Sequence, residues 1–415
     1  MNDKIYCVGD SITHNGIYIS YIYDYMSTHY SERKLRLINK GKCGDTAFDA
    51  LQRLSWDMLK ENISGSAAIV MFGMNDVKVD LYPVNSPQKE KQKEDLFIQY
   101  KRNMHSLIEL LLQKGLIVTL VSPSPYDQTA KIESVSHYGA NDSLALYSEY
   151  CSDLATQFGV KYIDIHSRIT ELNSKIQSSA PDDSLIDQDR VHPKRIGSLI
   201  IAYLILKGMD WIKASPEIRV DRNSGKTSTT ECEIIKKNID KSKIHLAVKP
   251  MVMPGHEDEI FLKAANLIPI RSWNRFELHL DYFSQDSYSV KINGTDYQRR
   301  AAETVNLFEF SDEIKSIVEK NNKLNDERRQ LEGMLRDIVM VDVNLKRQGI
   351  AYDDQDSINT YFQNEYLKAA NKEWFDGVRK SYDHKANISD VKQEINNKID
   401  MMYRHSIPDI QIDIH

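Results

Sequence analysis

The sequence predicts an α/β fold in its first half, a parallel sheet with helices on both faces. Three observations carry this reading. Short apolar runs recur at residues 4–8, 35–39, 67–72, 116–121 and 160–165, stretches of helical periodicity separate them, and turn-forming residues follow them. Alternation of strand and helix through five strands is the signature of a parallel sheet.

Each element has its own support. The first run ends at Gly9-Asp10-Ser11, and the second is followed by Gly41 and Gly44. Residues 67–72 are continuously apolar, as in a strand buried on both faces, and 116–121 repeat that pattern before Ser122-Pro123-Ser124-Pro125. Phe97, Tyr100, Met104, Leu107, Ile108 and Leu111 are spaced by threes and fours, as are Leu144, Tyr147, Cys151, Leu154 and Phe158. A last helix over 194–211 closes the unit. In such sheets the ligand lies outside the carboxyl ends of the strands, so the polar segments after them share one crevice.

After Trp211 the texture changes. The polar stretch through Glu231 reads as a linker. Its Gly225-Lys226-Thr227 is not a phosphate loop, which needs glycine where Val220 stands. Phe276, Leu278, Leu280 and Tyr282 then alternate with polar residues, and Tyr288, Val290 and Ile292 lead into Asn293-Gly294, a strong hairpin signal. A half-buried antiparallel sheet is expected here. Ile317, Leu324, Leu331 and Ile338 repeat every seven residues, but Asn321 and Arg328 interrupt the companion seam beside Ile314 and Leu335. That favours a long amphipathic helix packed on its own chain over a coiled coil. Ile410, Ile412 and Ile414 suggest an edge strand. The expected division is 1–212, a linker at 213–231, a small antiparallel β-rich domain at 232–310, and a charged, mainly helical region at 311–415.

Composition narrows the function classes. The 415 residues carry 54 Lys+Arg and 60 Asp+Glu, a net charge of −6 that lacks the basic footprint of a nucleic-acid binder. The longest apolar run, residues 199–206, is far short of the roughly 20 a spanning helix needs, so no membrane partner is expected. The first strand runs straight into a turn rather than forming a leader, and the 4 cysteines have neither CxxC spacing nor scaffold density. A reduced, cytoplasmic protein is the expectation. No His/Cys/Asp/Glu cluster has metal-ligand spacing, and no metal or cofactor is expected.

Four segments carry chemistry. In Gly9-Asp10-Ser11-Ile12-Thr13 a serine stands at the crevice and at the start of a helix, though Asp10 and Ser11 serve equally well as caps. In Gly41-Lys42-Cys43-Gly44-Asp45-Thr46 glycine leaves a backbone N–H unobstructed; a plain turn and helix cap would look the same. In Gly73-Met74-Asn75-Asp76 the Asn75 amide can reach the crevice, or simply form a turn. In Asp189-Arg190-Val191-His192-Pro193 the imidazole suits a general base, with Asp189 to hold its tautomer. Val191, His14 and Tyr126 lie near these segments, and for His14 and Tyr126 a structural role is favoured.

In this order and at these strand ends, the four segments resemble the signatures of the SGNH hydrolases, the GDSL esterase/lipase family. The resemblance covers about residues 1–212. It implies a flavodoxin-like three-layer α/β/α domain with a five-stranded parallel sheet in the order 2-1-3-4-5. It assigns Ser11 as nucleophile, His192 as general base and Asp189 as its orienting partner. The N–H groups of Ser11 and Gly44 and the Asn75 side chain would form the oxyanion hole. The α/β-hydrolase elbow Gly-x-Ser-x-Gly is absent. Residues 288–294, Thr304-Val305-Asn306-Leu307 and the helix from Ser311 also resemble, more loosely, an extension seen in some bacterial members, from which no catalytic role transfers.

The expected activity is a serine esterase acting through an acyl-enzyme on small acyl esters, foremost O-acetyl groups of carbohydrates. Its partner is a small-molecule or oligosaccharide ester. A lysophospholipase- or thioesterase-like hydrolase of longer chains and a noncatalytic scaffold on a hydrolase fold are the alternatives. The C-terminal region is a candidate surface for a homo-oligomer, or for one wall of the crevice.

Overall fold

The computed structural model describes residues 4–59, 62–221, 223–240, 243–281, 287–300, 304–369 and 371–414. Its first elements are β1 (Lys4–Gly9), α1 (Ser11–Asn15), α2 (Ile17–His29), β2 (Arg36–Gly41), α3 (Ala47–Asp57) and β3 (Ala67–Met71). They continue with α4 (Pro87–Gln113), β4 (Ile117–Val121), α5 (Ala140–Phe158), β5 (Lys161–Ile163), α6 (His166–Gln177) and α7 (Arg195–Gly208). The sheet is parallel throughout, in the order β2-β1-β3-β4-β5. Alternate strand residues explain its two covered faces. Tyr6, Val8, Ala68 and Val70 join Leu54, Leu107 and Leu144 in one core. Ile5, Cys7 and Ile69, pointing the other way, are just as buried.

The strands end level. Gly9 lies opposite Gly41 on one side and Met71 on the other, and Met71 opposite Val121. The polar segments after β1, β2 and β3 therefore start from one line. Two glycines make the line possible. A Cβ on Gly9 would sit 2.9 Å from the Met71 carbonyl, and one on Gly41 would sit 2.2 Å from the His14 backbone nitrogen.

The chain forms two compact units that do not follow sequence order. One comprises the described residues of Met1–Tyr21, Arg36–Met209 and Glu327–Asn397; the other those of Ile22–Leu35, Asp210–Asp326 and Lys398–His415. The second unit contains β6 (Glu217–Asp221), β7 (Thr227–Thr230), β8 (Cys232–Ile239), β9 (Ile244–Pro250), α8 (Glu259–Ala264), β10 (Glu277–Asp281), β11 (Ser287–Ile292), β12 (Thr295–Arg300) and β13 (Val305–Asn306). Then follow α9 (Asp312–Arg347), α10 (Gln355–Lys368), α11 (Lys372–Asp383), α12 (Ile388–Met402) and β14 (Ile410–Ile414).

Several expectations change. The stretch expected as a linker at 213–231 holds β6 and β7, because Ile218 and Val220 alternate into a core while the residues between face outward. Gly225 and Lys226 belong to the turn joining them and Thr227 begins β7; Gly225 donates to the Asp221 carbonyl at 2.9 Å. The β region is not a single antiparallel sheet. One sheet runs β13-β10-β6-β7 with β10 and β6 parallel, and another runs β12-β11-β14-β9-β8. Leu278 and Leu280 are buried as their alternation requires, whereas Tyr282 lies outside the described residues. Asn293 and Gly294 turn the β11–β12 hairpin with φ of 48° and 85°. Strand β14 is not at an edge; it lies between β11 and β9, with Ile410, Ile412 and Ile414 all fully buried. The seven-residue repeat lies in one long helix, α9, and its buried Arg328 pairs with Glu332 at 2.7 Å.

Candidate functional site

The segment after β1 uses its two polar residues differently. Asp10 caps α1, its carboxylate accepting from the Ile12 N–H at 3.0 Å. Ser11 instead faces the loop before α7, where its Oγ lies 2.8 Å from His192 Nε2. Burial pushes the Asp10 carboxyl up to about 6, against the pull of the Ile12 N–H and of His192.

A tight loop presents the histidine. Ile186 bridges to Pro193, Asp187 N–H donates to the His192 carbonyl at 2.8 Å, and Lys194 N–H to the Leu185 carbonyl at 2.9 Å. Asp189 accepts three bonds from this loop: from the N–H groups of Val191 and His192, each at 2.9 Å, and from His192 Nδ1 at 2.5 Å. A carboxylate cannot donate, so Nδ1 carries the proton and Nε2 is left to accept from the Ser11 hydroxyl. Burial alone would raise the Asp189 carboxyl, but these bonds hold it down at about 2. For His192, burial works toward a lower pKa. The bond and charge of Asp189, helped by Asp10 and Asp187, outweigh it and raise the imidazole above its ordinary value.

Arg190, within the same motif, had no role assigned from sequence. It stands in the left-handed region at φ 65° and is buried. Its guanidinium donates to the carbonyls of Asp127, Ala130, Ile132 and Ser134 at 2.8–3.3 Å, fastening the His192 loop to the segment after β4. Nothing in the sequence marks it, since its acceptors are backbone groups that any residue provides.

The oxyanion candidates follow the neighbouring strands. Gly44 has φ 77° and nothing within 4 Å of a Cβ position, so the space on that side of its backbone is open. Thr46 and Asp49 form a capping box on α3, so the cap expected as an alternative coexists with Gly44. The Asn75 Nδ2 donates one N–H to the Asp45 carbonyl at 2.9 Å, which ties the third segment to the second and leaves its other N–H for a ligand. Among the described residues, no protein acceptor takes the N–H of Ser11 or of Gly44.

A cavity of about 370 Å³ lies beside these two segments, lined by Thr46, Phe48, Asp76, Lys78, Gln99 and Arg102 among others. His14 and Tyr126 are buried, His14 against Asp337 at 3.1 Å and Tyr126 with its hydroxyl toward the Val135 carbonyl. Val191 packs against the core of the sheet. Among the described residues, no group of three His, Cys, Asp or Glu is placed to hold a metal ion, and no helix is long and apolar enough to cross a membrane.

Comparison with known proteins adds to this geometry. A family model described as "GDSL-like Lipase/Acylhydrolase family" matches residues 7–198. An acetylxylan esterase of Geobacillus stearothermophilus is 23% identical over 231 residues, spanning 51% of this chain and 97% of that protein. The solved structure of a gut microbial diltiazem-metabolizing enzyme superposes with a TM-score of 0.85 at 22% identity, over 99% of this chain and 97% of that one. A crystal structure of the Geobacillus stearothermophilus acetylxylan esterase gives a TM-score of 0.42 at 21% identity, over 51% of this chain and 97% of its own. The first of these structures shares the fold of almost the entire chain, C-terminal half included.

Proposed function

We propose that this chain, a member of the GDSL-like lipase/acylhydrolase family through residues 7–198, is a serine esterase that releases small acyl groups, foremost acetyl, from hydroxyls of carbohydrates. The observation that carries the reading is the aligned pair of bonds through His192, one to Ser11 at 2.8 Å and one to Asp189 at 2.5 Å.

A serine hydroxyl is a weak nucleophile until a neighbouring base takes its proton. As Ser11 Oγ attacks the acyl carbonyl, that proton passes to His192 Nε2, and Asp189 steadies the imidazolium. The carbonyl oxygen becomes an oxyanion facing the N–H groups of Ser11 and Gly44 and the free N–H of Asn75. Donors fixed in advance at such a site are each worth about 3–4 kcal/mol in the transition state. Collapse returns the proton from His192 to the departing alcohol. Water, activated by the same imidazole, then frees the acyl group from Ser11.

The acetyl and carbohydrate parts have one support: the Geobacillus stearothermophilus relative is an acetylxylan esterase. The test is acetate release from a panel of acetylated mono- and oligosaccharides, run beside a chain-length series of model esters. Turnover of acetylated sugars, with rates on model esters falling beyond propionyl, is expected. Faster turnover of long-chain esters, with no acetate released from any sugar, would replace this reading with a longer-chain hydrolase.

A further inference from the structure

Two consecutive side chains of α9, Arg336 and Asp337, reach the segments that carry the nucleophile and the oxyanion donors. Asp337 Oδ1 accepts from His14 Nε2 at 3.1 Å, and its Oδ2 accepts from Ser381 Oγ at 2.9 Å. His14 is buried in α1, the five-residue helix that begins with Ser11. A carboxylate fixed at both oxygens thus grips the nucleophile's helix.

Arg336 works on the neighbouring strand. It is 2% exposed, and its Nη1 donates to the Asn39 carbonyl at 2.8 Å. The Asn39 side chain in turn donates to the carbonyls of Thr13 and His14 at 2.8 and 3.1 Å, and accepts from the Gly41 N–H at 2.9 Å. One asparagine therefore joins α1 to the start of the Gly44 loop, and Arg336 holds its backbone. A second path runs from Arg336 Nη2 to Asp57 at 3.5 Å, from Asp57 to Arg53 at 2.7 Å, and from Arg53 to Asp45 at 2.5 Å. Asp45 ends that path by accepting from the Asn75 amide. Burying so many charges costs desolvation that apolar residues of the same size would avoid, so stability alone does not account for them. What charged, directional bonds add is a fixed geometry.

We propose that Arg336 and Asp337 are positioning residues for ester hydrolysis: α9 sets the spacing between the Ser11 nucleophile and the Gly44 and Asn75 donors. The proposal rests on the serine-esterase reading above. Displacements of about 1 Å in such a constellation cost on the order of a hundredfold in rate.

The test compares full-length Arg336→Met, Asp337→Ala, Asp337→Asn and Ser11→Ala with the parent on p-nitrophenyl acetate. Rates of the parent and of the Arg336 and Asp337 variants are divided by the serine titrated with a fluorophosphonate, so that any misfolded fraction drops out, and Ser11→Ala is compared per mole of protein. Arg336→Met and Asp337→Ala are expected to lower kcat about tenfold to a hundredfold with KM within about twofold. Asp337→Asn keeps an oxygen for His14 and is expected to recover most of kcat. Parental kcat in both Arg336→Met and Asp337→Ala, or a change confined to KM, overturns the positioning role. Asp337→Asn as impaired as Asp337→Ala overturns the His14 bond as its cause, and the Asp337 pair decides if Arg336→Met does not fold. A Ser11→Ala protein that still hydrolyses the ester overturns the serine reading itself, whereas an inert one beside unaffected helix variants overturns positioning alone.

Discussion

Asn75 has a divided amide, one N–H spent on the Asp45 carbonyl and one left over. The first bond fixes the side chain before any substrate arrives; the second strengthens only as charge develops on the carbonyl oxygen. Asn75→Ala is therefore expected to lower kcat by about 10²–10³ with little change in KM, measured on a soluble acetyl ester. A rise in KM with kcat intact would assign Asn75 to ground-state binding. His192 has a second measurable consequence. Only the neutral imidazole accepts the Ser11 proton, and its pKa lies above the ordinary histidine value, because Asp189 outweighs burial. Activity should thus rise with pH through an inflection above about 6.5, with Asp189 already ionised across that range. A flat profile from pH 5 to 8 would remove His192 as the base. At this scale the sequence singled out Ser11, Asp189 and His192, which the fold brings within bonding distance, because their chemistry is unusual for their place. It was silent on Arg190, Arg336 and Asp337, whose partners are backbone carbonyls or residues hundreds of positions away.

Elements were legible in proportion to their apolar contrast. Strands β1, β3 and β4 stand out because both faces are buried along most of their length, which leaves few polar residues within them. The edge strands β2 and β5 show less contrast. Strands β6 and β7 were hidden, since only Ile218 and Val220 of the former face a core and the latter is threonine and serine throughout. The tail alternation revealed β14 but not its place, because alternation reports one buried face and says nothing of neighbours on either side. One close fit between elements is where β2 ends against α1, with no room for a Cβ on Gly41. Gly41→Ala should cost about 1–3 kcal/mol through overpacking, seen as a lower melting temperature. An unchanged melting temperature would mean that α1 yields freely, contrary to its bracing by Asn39.

The whole molecule is discontinuous in sequence. Helices expected as part of an appendage belong to the same compact unit as the parallel sheet, and the other unit draws on three separate stretches. Its five-stranded sheet is joined through β14, whose Ile412 is fully buried with Leu246 and Ile292 as register partners. Ile412→Asp would bury a lone carboxylate there, and a loss of about 4 kcal/mol or more is expected in urea unfolding. A loss below about 1 kcal/mol would show that β14 contributes little to that sheet. Because Val248 waits for Ile410 as its strand partner, β9 leaves the ribosome long before the segment that covers its edge is made. During synthesis that edge is an open template for any extended peptide nearby. The nascent chain is thus most exposed to misassembly late in translation, and a chaperone that shields strand edges should raise its yield more than one that only slows collapse.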